Sequence, residues 1–304
     1  MTPLNPLTRH HPGPEAAPDY AAGAFGHQRA GEQGRLRALE DLWDPFTAHC
    51  LRQAGIPATA RCLEVGAGSG SVARMLARLC PGGDVTATDI DTRFFEELTA
   101  EERLTVLRHD VTRDGFPAGS FEVIHARMVL CHLADPARVL TTMAEWLRPG
   151  GLLLVEDLDL GPVDAAPHPV MRRGLRAAEQ TLGTSQGSDL RLGRRLPTLV
   201  TDGGFTLGGM RAQPVMIGAG GPADAFWRLS FAQLRDFQAR NGSPPRRRDG
   251  RGALVDRPSG LHGPRHARRL RMGPEARAAD GVTPRTGGSG SGHRRPGPRV
   301  SASA

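Results

Sequence analysis

The chain has 304 residues and a formal net charge of +7, with 39 basic residues, every one of them arginine, against 32 acidic ones. Residues 243–304 hold 14 arginines and 4 acidic residues, so residues 1–242 are mildly acidic and the charge of the main body argues against nucleic acid as a partner. No apolar run reaches the roughly 18 residues of a membrane span, no basic-then-apolar leader is present, and Cys50, Cys62, Cys80 and Cys131 lack C-x-x-C spacing; a cytoplasmic protein with buried free thiols and no metal site is expected.

In chain order, residues 1–27 begin with a stretch (1–19) rich in proline, histidine and alanine and are expected to be disordered. Residues 28–55 read as a helical segment, with Leu36, Leu39, Leu42, Trp43 and Phe46 at helical spacing and Pro45 marking a break or a new first turn. The stretch Cys62–Ser71 is the most informative. An apolar run carries the acid Glu64, then Gly66, Gly68 and Gly70 alternate with small residues, and an apolar-periodic segment follows. This is a strand, a tight turn and a helix whose amino end favours a polar, partly anionic ligand. The dinucleotide fingerprint G-x-G-x-x-G is not met, because the third glycine comes one place early. Asp84–Asp91 is a second buried strand ending in Asp89, 19 residues past Gly70, where a carboxylate can accept both hydroxyls of a ribose. Asp91 competes for that role but suits the cap of a helix through Phe94, Phe95 and Leu98.

Leu104–Val111 reads as the third strand and Phe121–Leu133 as the fourth with its loop and helix. Asp135-Pro136 opens a helix that runs to Arg148, and Pro149-Gly150-Gly151 leads into the fifth strand, Leu152–Asp157. Residues 161–202 are helical in pattern, the stretch from Gly203 to Ile217 reads as a sixth strand, and Phe226, Leu229, Phe231, Leu234 and Phe237 mark one more amphipathic helix.

The order acid-x-Gly-x-Gly-x-Gly at Glu64–Gly70, followed by Leu-Arg-Pro-Gly-Gly-Leu-Leu-Leu at Leu147–Leu154, resembles the class I S-adenosylmethionine-dependent methyltransferases. The resemblance implies an α/β domain over residues 28–242, with a doubly wound, mostly parallel sheet, a helical N-terminal segment that helps cover the cofactor, and a helical insertion over 161–202 that shapes the acceptor pocket. Tyr20, Phe25 and Arg35 are candidates to line a lid, with ordinary packing as the competing reading. It further implies that S-adenosyl-L-methionine is held by Glu64, Gly66, Ala67, Gly68 and Gly70 at its methionine part and by Asp89, with the neighbouring Ile90, at its ribose. Asp110 and Val111 would meet the adenine, and the backbone of Arg127 the methionine end. The expected acceptor is a small molecule. A base is needed only for an acceptor that arrives protonated, and His132, His125 and Glu156 are the candidates, His132 heading the site residues and a helix-packing role standing against it. Two other classes share part of the pattern: a NAD(P)-dependent oxidoreductase, and a protein that binds the cofactor without turnover.

Residues 243–304 contain no Phe, Trp or Tyr, and 19 of their 62 positions are Gly or Pro. They are expected to be disordered. The codons of Ser259–Gly273, read one base later, permit an apolar segment resembling the closing strand of these enzymes. The expectation is therefore a frame change near 242–247, a missing seventh strand without its antiparallel hairpin, and an exposed sixth-strand edge.

Overall fold

In the computed structural model, residues 23–95, 103–242 and 299–303 are described. Five short strands form the centre: β1 (Cys62–Val65), β2 (Val85–Asp89), β3 (Leu104–Arg108), β4 (Phe121–Arg127) and β5 (Leu147–Glu156). All pair in parallel, with Cys62 opposite both Val85 and Val123, Val85 opposite Leu104, and Ile124 opposite Leu153. Every residue of β1 is buried, as parallel strands covered on both faces must be.

Alternation along the strands sends neighbouring side chains into two apolar layers. Leu63, Ile124 and Leu153 face Leu140 and Met143 of α3 (Pro136–Trp146) and Leu196 and Val200 of α5 (Leu196–Asp202). Cys62, Val123 and Leu154 face Leu51 of α1 (Glu32–Gln53) and Val72 and Leu76 of α2 (Ser71–Leu79). The helices thus cover both faces of the sheet, as a doubly wound fold requires. Local chemistry sets their ends. Asp135 caps α3 by accepting from the Arg138 backbone N–H at 3.0 Å, with Pro136 in the first turn, and Gly70, in the left-handed region, precedes α2. The sheet order is β3-β2-β1-β4-β5-β7-β6. It reverses between β1 and β4, so the crevice outside their carboxyl ends is the place for a ligand.

Several expectations are corrected. Helix α1 runs unbroken through Pro45 for 22 residues. The hydrogen bond that proline removes is offset by burial of Trp43, Thr47, Cys50 and Leu51 around it. Residues 23–27 are ordered turns: Ala24, Phe25 and His27 are buried, and the Arg35 guanidinium lies 4.2 Å above the Phe25 ring. Residues 91–95 form turns, and the rest of the helix expected through Leu98 falls outside the described residues. The sixth strand, β6 (Thr206–Arg211), stops six residues short of Ile217, and all of it is exposed.

The seventh strand is present. Backbone of Arg299–Ser303 forms β7, parallel to both β5 and β6 and hydrogen-bonded between them. A hairpin from β6 would force an antiparallel β7, whereas a long crossover permits a parallel one. Here α6 (Pro222–Asn241) and the segment after it separate the two strands. The facing edges of β5 and β6 thereby gain ladder partners. The remainder of the tail, including the stretch read out of frame, lies outside the described residues.

Helix α6 does not cover the sheet. It packs on α1 and on α4 (Pro169–Gln186), joining Phe226, Trp227 and Leu234 to Phe25, Ala38, Leu175 and Leu182 in a separate apolar cluster. All four cysteines are buried free thiols. Among the described residues no helix is long and apolar enough to cross a membrane.

Candidate active site

One cavity, open to solvent, lies outside the carboxyl ends of β1, β2 and β4 and runs under α1, α4 and α6. Glu64, Gly66, Ala67, Gly68, Asp89, Ile90, Asp110, Val111, Arg127 and His132 all line it. Gly70 does not; it sits beyond the cavity at the start of α2, with φ of 85°.

The turn is built around two left-handed glycines. Gly66 has φ of +67°, and a Cβ there would lie 2.3 Å from Val129 Cγ2, so the turns after β1 and β4 approach more closely than any side chain allows. Opposite it, Met128 takes φ of 54°, a strained value for a non-glycine, while its N–H donates to the Glu156 carbonyl at 2.7 Å. The Asp89 carboxylate clamps the turn: Oδ2 accepts from the Gly68 N–H at 2.9 Å and Oδ1 from the Asp91 N–H at 3.1 Å. Burial raises its pKa, which His27 and these two backbone bonds partly counter. Each oxygen retains a lone pair for a ligand hydroxyl. Asp91, the competitor, does not line the cavity; it pairs with Arg93, and its carbonyl accepts from His27 Nδ1 at 2.8 Å.

Asp110 is half-buried. Oδ1 closes a turn on Thr112, accepting from its N–H at 2.9 Å and its hydroxyl at 2.6 Å, while Oδ2 lies 3.6 Å from Arg113 Nε. Beside it His109 is buried, stacked on Phe116 with centroids 4.7 Å apart, and its two ring nitrogens have no hydrogen-bond partner among the described residues. Burial pushes its pKa down. A neutral imidazole with unmet hydrogen-bonding capacity therefore borders the cavity beside Asp110.

Glu64 belongs to a buried charge network. His125, fully buried, donates from Nδ1 to Glu64 Oε2 at 2.7 Å and from Nε2 to Glu156 Oε1 at 3.1 Å. Burial alone would lower the His125 pKa, but the two carboxylates outweigh it and push it up to about 9. Burial raises Glu64, and the same histidine bonds bring Glu156 below its usual value against the effect of burial. Thr47 donates to the other Glu156 oxygen at 2.9 Å. Arg127 Nη1 bonds Asp44 Oδ1 and Thr47 Oγ1, each at 2.9 Å, and Nη2 bonds Ser71 Oγ at 3.2 Å. His125 and Glu156 do not line the cavity. Both nitrogens of His125 are held by carboxylates, and neither His125 nor Glu156 reaches the cavity, which argues against either as a base for an acceptor bound there.

His132 does line the cavity, in a 3-10 turn after β4, with Nδ1 and Ser188 Oγ sharing a hydrogen bond at 2.8 Å. Burial, with the nearby Arg35 charge, pushes its pKa down to about 4. It is neutral at physiological pH and a weak proton acceptor, better suited to orienting a group by hydrogen bonding than to deprotonating it.

Sequence reasoning missed the residues that hold α1 over the turn. Glu40, Asp44 and Thr47, at i, i+4 and i+7, share one face and bond Ser69, Ser71 and Glu156 respectively. The polar stripe was visible in the sequence, but the apolar residues between drew the reading. Of the lid candidates, Phe25 and Arg35 line the cavity, while Tyr20 lies outside the described residues.

A family model described as a methyltransferase domain matches residues 35–193, and the chain belongs to that family. The central parallel sheet, with helices on both faces, is consistent with the class I methyltransferase fold of that family. The chain is 34% identical over 165 residues to methyltransferase str2 of Strobilurus tenacellus, covering 51% of this chain and 57% of that protein. It is 34% identical over 142 residues to the ubiquinone biosynthesis O-methyltransferase of Xanthomonas axonopodis pv. citri (strain 306), covering 43% and 55%. It thus spans about half the length of the curated relatives it matches. Among solved structures, a putative methyltransferase in complex with the Haloferax volcanii Trm112 methyltransferase activator aligns at 19% identity and a TM-score of 0.46, covering 62% of this chain and 77% of that one.

Proposed function

We propose that the protein transfers a methyl group from S-adenosyl-L-methionine to an oxygen, nitrogen or carbon atom of a small-molecule acceptor held in the same cavity. The observation that carries this reading is the charge of the cradle. Glu40, Asp89 and Asp110 border it, with Glu64 paired to His125 behind it, while the lining arginines Arg35 and Arg127 are themselves paired with acids. A dinucleotide's pyrophosphate would face that acidic rim unpaired, whereas a ligand carrying sulfonium and ammonium charges is attracted to it. This reverses the anionic preference expected from the helix end alone.

In this reading Asp89, next to Ile90, accepts the ribose hydroxyls, and Asp110 and the Val111 backbone receive the adenine. Glu64, held by His125, borders the methionine part, where Gly66, Ala67 and Gly68 let the backbone come close. Gly70 acts indirectly by starting α2. Arg127 holds α1 to the sheet through its side chain and leaves its backbone to the ligand. When bound, the cofactor supplies a methyl carbon that is already electrophilic. The chain's contribution is therefore orientation and exclusion of water, worth effective molarities of about 10⁵–10⁸ M in well-aligned systems. His132 orients the acceptor. The names of the relatives as methyltransferases support the transfer.

Calorimetric titration of the full chain with S-adenosylhomocysteine and, separately, NAD tests the reading. Stoichiometric binding of the first and none of the second is expected; the converse would refute it.

A further inference from the structure

Beyond the cradle, the cavity continues into a lobe walled by α1, α4 and α6. Its surface is apolar and aromatic, formed chiefly by Phe25, Leu39, Leu182, Phe226, Trp227 and Leu234. One face of α6 supplies Phe226, Ser230 and Leu234 at intervals of four residues. A serine inside a helix usually satisfies its hydroxyl on the carbonyl four residues back. Ser230 does not: it is 1% exposed, lines the cavity, and its Oγ has no hydrogen-bond partner among the described residues. A buried hydroxyl left unpaired in an apolar wall is costly to the free protein, and a ligand hydroxyl would satisfy it.

The charges near this lobe are committed elsewhere. Arg35 makes a two-pronged pair with buried Glu32, at 2.6 and 2.8 Å, and its guanidinium lies 4.2 Å and 5.8 Å from the Phe25 and Phe226 ring centres. His132 is held by Ser188. A carboxylate or ammonium entering here would lose its hydration against an apolar surface.

We propose that this lobe receives an uncharged, aromatic-sized acceptor that carries a hydroxyl group, with Ser230 Oγ hydrogen-bonded to that polar substituent. The inference rests on the methyl-transfer reading of the neighbouring cradle and adds the chemical class of the second substrate. The aromatic walls select shape, Ser230 selects the hydroxyl, and the absence of an unpaired charge among the described lining groups of the lobe selects against ions.

The test uses three probes with one ring system: 2-naphthol, 2-methoxynaphthalene and 2-naphthoate. Each is titrated calorimetrically at pH 7 into the full chain, with and without saturating S-adenosylhomocysteine. The expected result is that 2-naphthol binds about tenfold more tightly than either of the others. Ser230→Ala, which removes an unpaired hydroxyl and so cannot harm the fold, should lower the affinity for 2-naphthol about tenfold, to that of the methoxy compound. Affinity for S-adenosylhomocysteine should stay unchanged. Tighter binding of 2-naphthoate, unchanged 2-naphthol affinity in Ser230→Ala, or no binding of any probe would each overturn the acceptor class. Failure of S-adenosylhomocysteine to bind would overturn the methyl-transfer reading instead, and the two failures are separately visible.

Discussion

Replacing His125 with leucine perturbs the network beneath the cradle at its centre. The wild-type imidazolium lies between Glu64 and Glu156, which are only 2% and 4% exposed. Its pKa rises from the ordinary 6.5 to about 9, which at 1.36 kcal/mol per unit corresponds to about 3 kcal/mol. Removing one member of a buried ion pair costs about 3–5 kcal/mol, because the remaining charges keep their desolvation penalty. The His125→Leu variant should therefore lose about 3–5 kcal/mol near pH 6.5, or roughly 6–20 °C in Tm for a domain of this size. The pH dependence has a definite sign. A histidine whose folded pKa is raised contributes stability that is complete below its unfolded value of 6.5 and is lost as pH climbs through about 9. Glu156, with a lowered pKa, contributes stability that is lost as pH falls through its folded value. The gap between wild type and variant should thus be widest between about pH 5 and 7 and shrink toward pH 9.5. Urea unfolding followed by tryptophan fluorescence at pH 5, 6.5 and 9.5 measures it. A gap under about 1 kcal/mol that does not vary with pH would refute the reasoning.

Other outcomes follow from the same geometry. Gly66→Ala places a Cβ 2.3 Å from Val129 Cγ2 at a φ of +67°; it should cost about 2 kcal/mol or more in stability and weaken S-adenosylhomocysteine binding at least about tenfold, whereas Gly68→Ala, whose Cβ meets only Leu36 at 3.6 Å, should cost about 1 kcal/mol. Both are read by thermal melts and calorimetry. Asp89→Ala should weaken the same ligand by about 1–3 kcal/mol, while Asp91→Ala should leave it nearly unchanged in the same titration. Ser230→Ala should stabilise the unliganded chain by about 1 kcal/mol in a urea titration, since it deletes an unpaired buried hydroxyl.

Much of the sheet was legible because β1, β2, β4 and β5 are buried on both faces and bounded by strong punctuation. Glu64–Gly70 marks where chain direction must change, and Gly66 is required by a contact that only glycine permits. Pro149–Gly151, by contrast, read as the turn before the fifth strand, lie inside β5, which starts at Leu147 directly after α3 and shifts register there. Asp89 was legible too, since a strand-end acid has few places to go in a parallel sheet. The helix-on-helix layer was harder. Phe226, Leu234 and their neighbours revealed a helix, but amphipathicity does not say whether its apolar stripe meets a sheet or, as here, α1 and α4. Pro45 read as a break because local propensity penalises it, while tertiary packing around Trp43 and Thr47 overrides that penalty. The position of β7 was not legible at all. Arg299–Ser303 has neither apolar character nor a hairpin turn, and its pairing answers the open edges of β5 and β6. The site network depends on long-range partners such as Thr47 with Glu156 and Asp44 with Arg127, which sequence spacing alone does not bring together.

Diffraction from crystals of the full chain grown with S-adenosylhomocysteine bears most directly on the nucleoside cradle. The account requires ribose hydroxyls within hydrogen-bonding distance of the Asp89 carboxylate, with the adenine between Ile90 and Val111. Ligand density elsewhere, or a turn at Gly66–Gly68 closed by side chains at saturating ligand, would contradict it.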